Sequence, residues 1–113
     1  LGHADEEGIA GGAGANLNLP LPHGTQSDEW FAALETSLQW IERCGAEAIV
    51  VSLGVDTFVD DPISQFRLGS QDFTRLGQRL ATADRPMVFV MEGGYGAEPL
   101  GTNMVNVLDG FLS

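Results

Sequence analysis

The stretch AEAIVVSLGVDTFVDDP, residues 46–62, decides the fold. Its first part is almost continuously apolar, then a glycine intervenes, and the chain turns acidic at Asp56, Asp60 and Asp61 before Pro62. A strand with one wet face alternates polar and apolar residues. A run such as 46–54 instead matches a parallel strand covered on both faces. A second run of the same kind, MVFVM at 87–91, follows the DRP turn.

Helical patterns surround these strands. After Ser27, apolar residues recur at Trp30, Leu34, Leu38 and Ile41, with Phe31 widening the stripe. Asp28 and Glu29 suit a first turn, and Gly45 suits a helix end. A second helix is expected after Ser70, with Phe73, Leu76 and Leu80 inward. A third is expected near the C-terminus, with Leu100, Met104, Val107, Leu108 and Phe111 on one stripe. The glycine-rich 1–15 reads as loop, and NLNLPLP at 16–22 as a short or edge strand. Strands alternating with helices imply βαβ units and a parallel sheet. Three strands make a narrow sheet, so the chain is expected to form part of a larger one.

Composition excludes several functions. At 113 residues the chain suits one small domain, and 43% apolar content suits a folded one. No apolar run approaches the roughly 20 residues of a membrane span, and no signal-peptide pattern is present. One cysteine, Cys44, excludes an internal disulfide framework and points to a reducing, cytoplasmic setting. Sixteen acids against five bases give a net charge of −11, which opposes nucleic-acid binding. Such a surface suits cationic ligands.

Asp56 lies just past the end of the first buried strand, and Tyr95 just past the end of the second. Parallel strands joined by a crossover helix end on the same sheet edge, where α/β proteins bind ligands. Gly93 and Gly94, immediately before Tyr95, allow backbone to approach a ligand closely. Other chemistries lack their parts. The chain has no lysine for a phosphate loop or an aspartyl-phosphate site, and no G-x-S-x-G elbow. His3 and His23 sit in loops without a matching nucleophile.

Three segments, in order, resemble the zinc-dependent deacetylases, the family of histone deacetylases and acetylpolyamine amidohydrolases. They are GHADEEGIAGGAGANLNLPLPHGT, LGVDTFVDDPISQF and MEGGYG. EGGY and DPIS look closer to the bacterial polyamine and class II type. The resemblance spans essentially the whole chain. It implies a three-layer αβα, arginase/deacetylase-like fold, of which residues 1–113 form one partial domain from the C-terminal portion. It implies that Asp56 is a zinc ligand and that Tyr95 polarises an amide carbonyl. It also implies that Gly93 and Gly94 line the substrate channel and that Pro62 and Ile63 form its rim. The vertebrate polyamine deacetylase type carries a glutamate near the position of Ile63, so the resemblance does not itself imply polyamine preference.

The family's His-His base and Asp-x-His ligand pair do not occur in this sequence. The isolated chain is therefore expected to be inactive and to bind no zinc tightly. In the intact enzyme the expected ligand is an acetylated or cationic amine. The competing expectation is a non-catalytic α/β module that forms homo-oligomers, or binds a partner, through an exposed sheet edge.

Overall fold

The computed structural model describes residues 2–113. Among them the order is a short 3-10 turn at Ala10–Gly12, α1 (Ser27–Arg43), β1 (Ile49–Leu53), α2 (Ser70–Ala81), β2 (Met87–Met91) and α3 (Ala97–Leu112). The strands pair in parallel, from Ile49 opposite Met87 to Leu53 opposite Met91. The unit is therefore the expected β-α-β crossover, with both strand ends on one edge.

Local chemistry sets the helix starts. Glu29 accepts a hydrogen bond from the Gln26 N–H at 3.1 Å, and Asp72 accepts one from the Gly69 N–H at 2.8 Å. Each carboxylate thereby satisfies a donor that a helix leaves unpaired, in a region of positive dipole. Asp72 also accepts the Ser27 hydroxyl at 2.6 Å, tying the starts of α1 and α2 together. Along the same interface Arg79 pairs with Glu35, and the Arg75 guanidinium lies 3.9 Å over the Phe31 ring.

The core lies between the helices and one face of the sheet. Phe31, Leu53, Val55, Leu68, Phe73, Leu76, Leu80 and Val107 are buried there, with Val51, Met87 and Phe89 packed against them. Alternate strand residues point the other way, and Val50 and Val88 are 69% and 59% exposed. The apolar runs thus have one face covered within these residues, and the opposite valine face is bare.

Two expectations need correction. Residues 16–22 form no strand. Alternation alone does not make a strand without a neighbour to complete its ladder, and Pro20 and Pro22 lack donors. Leu108 is 41% exposed and lies off the inward stripe of α3. Leu100, Met104, Val107 and Phe111 follow the 4-3-4 spacing of one helix face, and Leu108 is turned about 100° from Val107.

Helices α2 and α3 meet through glycines. A Cβ placed on Gly77 would lie 2.0 Å from the Val107 carbonyl oxygen and 2.6 Å from the Phe111 nitrogen. One on Gly110 would lie 2.1 Å from the Thr74 carbonyl oxygen. The two backbones are in direct contact at both positions. Ordinarily Gly→Ala inside a helix gains about 1 kcal/mol. Here Gly77→Ala is expected to lose about 1–3 kcal/mol net, because backbone atoms have to separate. The check is a lower urea midpoint at unchanged slope; an equal or higher midpoint refutes the close contact.

Candidate functional site

The strand ladder continues past both strand ends. Glu92 N–H donates to the Leu53 carbonyl at 2.9 Å, and Val55 N–H donates to the Gly93 carbonyl at 2.8 Å. These two bonds draw the segment carrying Asp56 against the segment leading to Tyr95, as the parallel crossover requires.

The Asp56 carboxylate fits into a space left by missing side chains. A Cβ on Gly93 would fall 2.2 Å from its Oδ2, and one on Gly54 would fall 2.7 Å from its Oδ1. Any side chain at either position would push the carboxylate aside. Asp56 is half-buried, and among the described residues no side-chain hydrogen bond engages it. A carboxylate held in place yet left without a partner is suited to an external donor or cation.

Gly94 has a different task. Its φ is +150°, a conformation that L-residues rarely adopt, and a Cβ there would meet Leu100 Cδ1 at 2.4 Å. The chain can thus turn out of the sheet and present Tyr95, which is 57% exposed. Pro62 and Ile63 are exposed on the loop that follows Asp56. The structure therefore brings Asp56, Gly93, Gly94 and Tyr95 to one edge and puts Pro62 and Ile63 on the surface of the adjoining loop.

Asp61 holds that loop to the Tyr95 segment. It is only 7% exposed. Its Oδ2 accepts the Tyr95 and Gly96 N–H groups at 2.7 and 3.0 Å, and its Oδ1 accepts the Ile63 N–H at 3.0 Å. Burial pushes the Asp61 carboxyl up, but the three N–H donors from Tyr95, Ile63 and Gly96 together outweigh it. They hold the group below its ordinary value of 3.8.

Sequence reasoning assigned Asp61 no role. The available signal was the Asp-Pro-x step, in which an aspartate commonly accepts the N–H two residues on. Asn103 was also missed. It is buried, and its Oδ1 has no partner among the described residues; it faces a small gap shared with Asp61, Gly94 and Gly96. Three further carboxylates, Asp60, Glu92 and Glu98, are exposed on the same two loops and the start of α3.

Asp56 offers one oxygen donor with no competing protein hydrogen bond, which suits one position of a divalent cation. Among the described residues no group of three or more histidine, cysteine, aspartate or glutamate side chains could hold a metal ion. Asp56 thus fits as a single ligand, and a complete site needs donors from outside these residues. Also among them, no helix is long and apolar enough to cross a membrane.

Residues 1–111 match the model of the histone deacetylase domain. The chain is 51% identical over 111 residues to acetylpolyamine amidohydrolase 1 of Pseudomonas aeruginosa, covering 98% of this chain and 32% of that protein. It is 51% identical over 110 residues to the acetylpolyamine amidohydrolase of Mycoplana ramosa, covering 97% of this chain and 32% of that protein. The crystal structure of an acetylpolyamine aminohydrolase from Burkholderia pseudomallei superposes with a TM-score of 0.95 at 39% identity, over 98% of this chain and 32% of that one. The chain thus spans about a third of the length of the relatives it matches. Its α/β fold is that of these proteins, and the chain belongs to the histone deacetylase domain family.

Proposed function

We propose that this chain supplies one metal-ligating carboxylate and one oxyanion-stabilising phenol to a zinc-dependent hydrolase of acetylated amines. The observation that carries this reading is the Asp56 carboxylate, cradled by Gly54 and Gly93 and left without a protein partner, on the sheet edge that also presents Tyr95. The relatives' names support the reaction class, since those at about half identity are acetylpolyamine amidohydrolases.

When bound, zinc supplies Lewis acidity to water and to the amide carbonyl. Asp56 holds one coordination position. The Tyr95 hydroxyl donates a hydrogen bond to the carbonyl oxygen, and this bond strengthens as negative charge develops there. Gly93 and Gly94 line the channel with backbone; the Cβ-less side of Gly93 admits the Asp56 carboxylate, and that of Gly94 packs on Leu100 and Val55. Pro62 and Ile63 flank the entrance. Asp60, Glu92 and Glu98 attract the cationic remainder of the substrate, in keeping with the net charge of −11. The proton acceptor that activates water and the other metal ligands lie outside these 113 residues.

The test is a chimera. The matching third of the Mycoplana ramosa enzyme is replaced by this chain, to which it is 51% identical over 110 residues. The expected protein retains about one zinc per chain and hydrolyses acetylated putrescine. A folded chimera with neither metal nor turnover sinks the proposal. That outcome would favour a non-catalytic module whose bare Val50–Val88–Val90 face is covered by a second copy.

A further inference from the structure

We infer that Asp61 is a positioning residue for Tyr95: its buried carboxylate joins the loop after β1 to the loop after β2 and fixes where the phenol is presented. The significance of that position for catalysis rests on the function proposed above. The joining itself does not.

Past β2, the sheet ladder ends with the bonds of Glu92 and Gly93 to Leu53 and Val55. The next elements of regular structure begin at α3, so the N–H groups of Tyr95 and Gly96 have no ladder to enter. Both donate instead to one oxygen of Asp61, a residue 34 positions earlier than Tyr95. Gly94, with its φ of +150°, turns the chain just before this point. Asp61 holds the chain that leaves this turn.

The other end of the link is equally well held. Asp61 N–H donates to the Phe58 carbonyl at 3.1 Å, and Phe58 N–H to the Val55 carbonyl at 3.2 Å. Val59 N–H donates to the Leu68 carbonyl at 2.9 Å, closing the loop on itself. Asp61 is therefore anchored to the segment that carries Asp56. The backbone segments that carry Asp56 and Tyr95 are parts of one hydrogen-bonded unit.

The chemistry also selects aspartate. Both of its oxygens are acceptors, one for Ile63 and one for Tyr95 and Gly96. Asparagine has one oxygen and one NH₂ group, so it leaves one set of donors facing another donor. Alanine satisfies none of the three.

The experiment uses the full chain, where Tyr95 is the one tyrosine. Incorporated 3-fluorotyrosine gives a single ¹⁹F reporter, and amide hydrogen exchange gives residue-level protection. In Asp61→Ala, the Tyr95 and Gly96 amides are expected to lose protection roughly ten- to hundredfold, the range for hydrogen bonds to a charged acceptor. The fluorine line is expected to narrow and move toward the free amino acid. Amides of Phe73, Leu76 and Leu80 in α2 are expected to stay within about threefold. Asp61→Asn is expected to show a smaller loss of the same pattern, and Asp60→Asn, at the exposed neighbour, none.

Unchanged Tyr95 and Gly96 protection in Asp61→Ala overturns the inference. So does a parallel loss across α2 in both Asp61 variants, which would make the residue one of general stability. If Asp61→Ala unfolds, the pattern in Asp61→Asn decides. In the chimera, Asp61→Asn is expected to lower kcat with little change in KM. Selective loss of protection with full turnover upholds the positioning and overturns the role of the phenol.

Discussion

Replacing Asp56 with alanine in the chimera is expected to remove the metal. A catalytic zinc of this kind is held by about three protein ligands, and the deletion takes away one that carries charge. Even changes to groups behind the ligands cost roughly 10–100-fold in affinity, so loss of a ligand itself is expected to exceed about 100-fold. After dialysis, zinc per chain should fall from about one to under about a tenth. Turnover should fall with it. Asp56→Asn keeps the shape and one oxygen but not the charge, and belongs between the two. An Asp56→Ala protein that keeps its full zinc content would remove Asp56 from the coordination shell. The glycine cradle sharpens the test: Asp56 touches no protein donor among the described residues, so its loss leaves no buried donor unpaired. Stability should hardly change, and metal loss cannot then be attributed to unfolding.

Tyr95→Phe is expected to separate binding from chemistry. The ring stays, the hydroxyl goes, and the backbone bonds to Asp61 are untouched because they come from the Tyr95 and Gly96 N–H groups. Zinc content should be unchanged. Removing one preorganised donor from a developing oxyanion costs about 10²–10³ in kcat. KM should move little, since the hydrogen bond is worth most in the transition state and little in the ground state. A variant with wild-type kcat would show that the phenol does not face the reacting carbonyl. If KM rose while kcat held, Tyr95 would be a substrate-binding group instead.

The parts of this site that were legible in the sequence are those governed by short-range pattern. Two apolar runs separated by a helical stripe require parallel strands, and parallel strands bring Asp56 and Tyr95 to one edge. That inference needed only spacing. Asp61 escaped it because its partners lie 34 and 35 residues away, and a second aspartate before a proline reads as ordinary loop chemistry. Residues 16–22 failed for the opposite reason. Their alternation is a local signal, but strand formation depends on a neighbour supplying the other half of the ladder. Leu108 was misplaced because Asn103 and Gly110, buried where α3 meets the rest of the fold, shift the inward face away from it. Apolar periodicity gives no weight to a buried asparagine or a glycine in contact with backbone.

The contact through Gly77 and Gly110 bears, finally, on where this molecule can yield. Helices kept apart by long side chains can breathe, because rotamers exchange and the gap between axes widens or narrows. Two backbones pressed together have no rotamers to exchange. Helices α2 and α3 therefore behave as one stiff bar, and the segments at 54–69 and 92–96, joined to each other through Asp61, run into it. On the function proposed above, the helical pair is the fixed reference against which carboxylate and phenol are aligned.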